Sequence, residues 1–206
     1  PTLDTVSAMT RSVRDAIAVH EVLAARKVRL ERRPLDALRF AVPQTFVLDG
    51  LDATVARAFE RSVATLAAAG ARIATIALAP LGEIPAINAG GGFAPAEAWA
   101  FHRRWIATRE RDYDPRVAQR IRRGETMSAA DYIDLVAARR DWIARMEAAL
   151  EGVDAVLTPT VPIVAPELAP LVADDAAFFA ANALVLRNPS VVNLLDGCAL
   201  SVPCHD

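Results

Sequence analysis

The sequence is poor in the side chains that most self-contained active sites need. It has two cysteines, three histidines and a single lysine. Cys198 and Cys204 lack C-x-x-C spacing, and His20, His102 and His205 are scattered, which argues against a zinc site or a disulfide framework and predicts two buried, reduced thiols. Cys204 beside His205 is the one thiol with a neighbouring base. Lys27 lies among Arg26, Arg29, Arg32 and Arg33 and reads as a solvated charge rather than a desolvated base. No apolar run is long enough to span a bilayer and no secretory signal opens the sequence, so no membrane partner and a cytoplasmic setting are expected. Charge of one sign is also lacking. The net charge is -2, and no basic stripe with interleaved aromatics occurs, so nucleic acid is not an expected partner.

Glycine is sparse and clusters only at Gly90, Gly91 and Gly92. A phosphate cradle would need Gly-Lys-Ser/Thr to follow, but Phe93 to Glu97 follows instead, and the cluster reads as a connection into a helix. The serines offer no nucleophile in G-x-S-x-G. Ser12 and Ser128 read as helix caps, Ser62 lies within a helix, and Ser201 falls in an apolar run. The paired acids at Asp112/Asp114 and Asp174/Asp175 precede helix starts, where negative charge suits the helix dipole.

What is present is apolar patterning, with 53% hydrophobic residues in 206, enough for a packed core. Val13, Ala16, Ile17, His20 and Leu23 recur at helix spacing behind a Ser12 cap. Arg39 to Val42 reads as a strand stopped by Pro43. Asp52 caps a helix with an apolar face of Val55, Phe59, Val63 and Leu66, ended by Gly70, and Ile73 to Leu78 is a second strand. This crossover predicts adjacent parallel strands. Helices follow over 96–109 and, started by proline, 115–122. Ser128 and Asp131 form a capping box for a long helix whose expected buried stripe is Tyr132, Leu135, Val136, Ile143, Met146 and Leu150. Residues 153–157 read as a strand. Residues 178–195 read as helical with an interruption near Pro189, and 199–202 as a last, buried strand. Arg187 and Asn188 interrupt an apolar stretch and must be paired structurally or face a polar cavity. The sum is an α/β domain: helices over a mixed, mainly parallel sheet, with a helical insertion between Gly82 and Leu150. Because the sequence opens in a patterned segment and stops just after an expected strand, both ends are expected to be truncated.

Several blocks together resemble the amidase signature family. Leu3 to Ala16 is similar to L-D-T-x-G-P-M-A-R-S-V-x-D-A. Glu97, Ala98, His102 and Arg103 match E-A-x-x-x-H-R. Tyr113 to Arg116, Ser128 to Tyr132 and Arg139 resemble its long-helix region, and Val153 to Thr160 its strand and T-P-T loop. Arg187, Asn188, Asn193 to Leu195 and Ala199 to Pro203 resemble its last block. The resemblance covers essentially the whole sequence in the family's order. It implies an amidohydrolase in which a serine attacks a carboxylic amide, a second serine relays the proton and a lysine is the base.

Those three residues would lie upstream of this stretch, so the resemblance places no catalytic residue here. It implies a C-terminal portion of one amidase-signature domain that shapes the pocket and is inactive alone. His102, Arg104, Thr158, Thr160 and Arg187 are the pocket candidates, Arg104 falling about where amidotransferase relatives hold a substrate carboxylate. No cofactor or metal is implied. The implied partner is a small-molecule amide, with a homodimer as the assembly allowed for. Asp196, Gly197 and Cys198 replace the usual G-L-P, which resembles a subgroup acting on small urea-derived or carboxylated amides. Two alternatives stay open: a non-catalytic binding scaffold, and the A subunit of a tRNA-dependent amidotransferase, although the 97–104 helix lacks that group's S-S-N-L-A-R.

Overall fold

The structure, a computed structural model, describes residues 2–204. It is α/β, with a three-stranded sheet in the order β2-β1-β3, all parallel, where β1 is Arg39–Pro43, β2 Arg72–Ile76 and β3 Ala155–Val156. The central strand is the buried one: Ala41 lies between Ala74 of β2 and Val156 of β3, and Val42 pairs with Thr75 of β2. Helix α2, Ala53–Ala68, makes the expected crossover. The Asp52 carboxylate accepts from the Thr54 amide at 2.7 Å, and Gly70 ends the helix at φ +100°, a conformation that glycine adopts without steric cost.

The core gathers on the long helix α6, Ala129–Ala149. Its capping box forms as the sequence predicts, with the Ser128 and Asp131 side chains each accepting from the other's backbone amide. The buried stripe differs from the expected one: Leu135 and Met146 are buried and Tyr132, Ile143 and Leu150 half-buried, but Trp142, outside that stripe, is buried too, while Val136 is about half exposed. Residues 135, 142 and 146 follow the i, i+7, i+11 line of one helical face, and Val136 lies about 100° round from Leu135. Trp142, fully buried, donates its indole N–H to the Pro80 carbonyl at 2.7 Å and packs with Leu78, Leu81, Phe93 and Leu194. The insertion contributes α3 (Ile84–Ile87), α4 (Phe93–Arg109) and α5 (Pro115–Arg122). A smaller cluster of Ile106, Ala118 and Ile121 holds α4 on α5, where Gly124 allows close approach to the Pro95 carbonyl.

Four sequence expectations are corrected. Residues 199–202 form no strand, and Leu200 and Val202 are more than half exposed. No described strand lies beside them, and β structure needs a hydrogen-bonding neighbour. Cys198 and Cys204 are consequently exposed rather than buried, though both are free thiols; His205 lies outside the described residues. The third strand is only two residues long, because β1 offers a partner just at Phe40 and Ala41. Helix α8, Asp175–Leu195, runs unbroken through Pro189. The proline removes the N–H that would have reached the Val185 carbonyl, while the neighbouring Arg187 and Asn188 side chains anchor the helix to the Val47 and Asp49 carbonyls. Helix α1, Val13–Leu23, has the expected Ser12 cap, yet no residue of it is buried. The remaining helix is the short α7, Leu168–Ala173. No helix among the described residues is long and apolar enough to cross a membrane.

Candidate functional site

Open parallel sheets carry their sites in the crevice beyond the carboxyl ends of the strands. Here β1 runs out into the turn at 44–50 and β3 into the Thr158, Pro159, Thr160 loop. The middle of α8 ties the two together. Asn188, 4% exposed, donates from Nδ2 to the Val47 carbonyl at 3.1 Å and to the Pro159 carbonyl at 2.9 Å. Its Oδ1 accepts from Arg187 Nε at 3.1 Å. Arg187 then reaches the same turn, with Nη1 on the Asp49 carbonyl at 2.6 Å and Nη2 on the Val47 carbonyl at 3.2 Å. Burial holds the Arg187 guanidinium below its ordinary pKa, opposed by the charge of Asp49. The Arg187–Asn188 interruption of the apolar stretch thus pairs with turn carbonyls, while Arg187 also lines a cavity of about 230 Å³ with Phe46, Ile84, Pro85, Asn88 and Leu186.

The turn itself is unusual. Phe46 has φ +67°, a left-handed conformation that costs a bulky L residue roughly 1–3 kcal/mol. Three ties keep it there: the Val47 amide donates to the Thr45 carbonyl at 2.7 Å, the Asp49 amide to the Phe46 carbonyl at 3.2 Å, and α8 grips the Val47 carbonyl twice. The Phe46 ring faces the Arg187 guanidinium, 5.8 Å from its centroid. No sequence signal points to Phe46, because an aromatic residue is not one of the types that favours positive φ.

The other candidates fall in two places. Thr158 and Thr160 are exposed on the loop beyond β3, and Thr160 shares a hydrogen bond of 2.8 Å with the Ser201 hydroxyl. Pro159 between them is buried and carries the carbonyl that Asn188 holds. His102 and Arg104 lie on α4. The His102 Nδ1 is 3.0 Å from the Tyr113 hydroxyl, and its ring meets Phe101, Trp105 and Tyr113 edge-on. Arg104 is exposed and lines neither described cavity. No described hydrogen bond or ring contact joins the α4 group to the Thr158, Thr160 and Arg187 group. Glu97, in the same helix, accepts from Thr2 through amide and hydroxyl and from the Tyr132 hydroxyl at 3.0 Å. Burial pushes its carboxyl up, but these hydrogen bonds together outweigh it and hold the group below the ordinary carboxylate range.

Ser62 and Ser190 bond carbonyls of their own helices, and Ser12 and Ser128 are caps. Lys27, largely exposed, pairs with Glu21 at 2.7 Å. Among the described residues no hydrogen bond links a serine hydroxyl to a histidine or lysine, and no group of three or more His, Cys, Asp or Glu is placed to hold a metal.

The family model described as Amidase matches residues 1–206. A 2-amino-5-chloromuconic acid deaminase of Comamonas testosteroni is 31% identical over 204 residues, which is 98% of this chain and 44% of that protein. The A subunit of a glutamyl-tRNA(Gln) amidotransferase of Acidobacterium capsulatum is 28% identical, over 98% of this chain and 49% of its own length. The crystal structure of an amidase superposes with a TM-score of 0.74 at 29% identity, over 90% of this chain and 42% of that one. The chain therefore spans about half the length of the curated relatives that match it end to end. With its whole sequence matched and its fold shared, the chain belongs to the amidase family, the amidase-signature hydrolases.

Proposed function

We propose that the whole protein is an amidohydrolase that adds water across a carboxylic amide C–N bond, releasing an acid and ammonia or an amine. A serine outside residues 1–206 is the nucleophile, with a second serine and a lysine, also outside, relaying its proton. This chain is the C-terminal portion of that domain and supplies pocket wall and scaffold. The observation that carries the reading is the Asn188 and Arg187 tie. In a chain matched to the family throughout, α8 fixes the two turns beyond β1 and β3, at the edge where open parallel sheets bind their ligands. Thr158, Thr160 and Arg187 belong to the pocket edge in this reading, and His102 and Arg104 to a wall contributed by α4. The substrate is a small linear amide, the setting is cytoplasmic, and neither nucleic acid nor membrane is a partner. A homodimer is the assembly proposed.

Ammonia release from a panel of small amides tests this, comparing the 206-residue chain with the longer protein that contains it. The longer protein should turn over and the chain should not. Turnover that follows the chain through successive purification steps would overturn the division of labour. A longer protein inert to every amide would favour the binding-scaffold alternative. The similarity to an amidotransferase component over 98% of the chain supports a second reading, the A subunit of a tRNA-dependent amidotransferase. Co-purification with partner subunits and tRNA, and glutamine-dependent ammonia transfer, would select it.

A further inference from the structure

Arg187 is half-buried, yet it has no salt bridge among the described residues, and every partner it does have is a neutral oxygen. A guanidinium carries N–H groups on Nε and two on each terminal nitrogen. Nε serves Asn188, one N–H of Nη1 serves the Asp49 carbonyl and one of Nη2 the Val47 carbonyl, which leaves one N–H on each terminal nitrogen without a described partner. Those N–H groups, on a cation with no described counter-charge, remain available to an anion such as a carboxylate. The charge borders the 230 Å³ cavity, whose apolar walls are Phe46, Ile84, Pro85 and Leu186, with Asn88 and Ser190 as the neutral polar side chains beside them. Clefts for larger organic ligands run roughly 300–1,000 Å³, so this one suits a single ring or a short aliphatic chain. Phe46 is held in its strained backbone state by the same α8 contacts that place Arg187, so wall and charge are positioned together.

We infer that this cavity is a carboxylate subsite: it takes a small amphipathic acid, with the carboxylate on the free N–H groups of Arg187 and the apolar body against Phe46, Ile84, Pro85 and Leu186. As a substrate subsite it rests on the amidohydrolase reading and narrows the substrates to amides that also bear a carboxylate. It assigns that anion to Arg187 and not to Arg104, which is exposed and lines no described cavity. Phe46 becomes the specificity-determining residue, setting how bulky the body next to the anion can be.

The test is a titration of the 206-residue chain with benzoate and, separately, with benzamide, followed by nitrogen–proton NMR at the Arg187 Nε–H and the 45–49 amides. Benzoate should saturate with a Kd on the order of 1 mM, as expected for a fragment of this size, and benzamide should bind at least about tenfold more weakly. Because Arg187 also anchors the turn, the first variant is Ala183→Trp, which fills the exposed rim one helical turn away while keeping the guanidinium itself. It should abolish the benzoate shifts while leaving the rest of the spectrum in place. Arg187→Lys, which keeps the charge but loses the planar set of donors, should weaken benzoate about tenfold or more. Equal binding of acid and amide, no saturation by benzoate, or unchanged benzoate binding in Ala183→Trp would each overturn the inference. The readout is binding, not turnover, so amide hydrolysis by the longer protein stands or falls separately.

Discussion

Replacing Asn188 by alanine isolates the tie on which the candidate site depends. The substitution removes both donated hydrogen bonds and the accepted one. The Val47 carbonyl keeps Arg187 Nη2, but the Pro159 carbonyl and Arg187 Nε lose their only described protein partners. At about 1–3 kcal/mol for each buried group left unpaired, with a small cavity added, the expected loss is about 3 kcal/mol. For a chain of this length that corresponds to a fall in melting temperature of about 6–12 °C. Urea unfolding and thermal melts followed by far-ultraviolet circular dichroism measure both quantities. Asn188→Asp is the discriminating companion. It keeps an acceptor for Arg187 and even supplies it with a counter-charge, yet it replaces the donor with an oxygen aimed at two carbonyl oxygens. If the donated bonds dominate, the aspartate variant is at least as unstable as the alanine variant at neutral pH. A loss below about 1 kcal/mol for alanine, or wild-type stability for aspartate, would refute the reasoning.

Two further outcomes follow from packing and charge. A Cβ at Gly124 would overlap the Pro95 carbonyl oxygen and lie 2.8 Å from Trp99 Cβ. Gly124→Ala should therefore push α5 from α4 and cost about 3 kcal/mol in urea unfolding, whereas open space at Gly82 makes Gly82→Ala the near-neutral control. Asp154 accepts from the Arg39 amide and from Arg33 Nη1, both at 2.8 Å, and the amide bond first, then Arg33, hold its carboxyl below the ordinary value. A lowered folded-state pKa means stability that is present above the unfolded value of about 3.9 and is lost as pH falls through the folded one. Asp154→Asn should flatten that acid-side decline, and an unchanged pH profile would show that the carboxylate does not hold β1 to the start of β3.

Local signals in the sequence are legible because the physics behind them is local. The Ser128/Asp131 box, the Pro115 start of α5 and the Asp52 and Asp174 caps each depend on a few adjacent residues, and the parallel crossover on consecutive elements. The expectations that fail involve partners far along the chain. Residues 199–202 have strand composition but no described strand to pair with, and α8 survives Pro189 through contacts with carbonyls at 47, 49 and 159. For the site, the odd pair Arg187 and Asn188 is visible as polar groups within an apolar run. Their targets are backbone oxygens, which have no residue type to betray them, and the left-handed turn at Phe46 contradicts what its side chain prefers.

The Asn188 tie also sets an order of events. Its bond to the Val47 carbonyl joins positions 141 residues apart. Closing so long a loop is costly before other contacts have brought its ends together. The β1, α2, β2 crossover and the α4–α5 hairpin close over much shorter separations, so they form without it. The turn at 44–50 therefore reaches its native shape only when α8 docks. Until then only the two local hydrogen bonds of the turn oppose the left-handed strain at Phe46, and the grip on the Val47 carbonyl is missing. The docking of α8 is thus the step that shapes the cavity beside Arg187. A chain slowed at that step would keep its sheet and its helices while lacking the cavity, and folding yield and binding competence would part company.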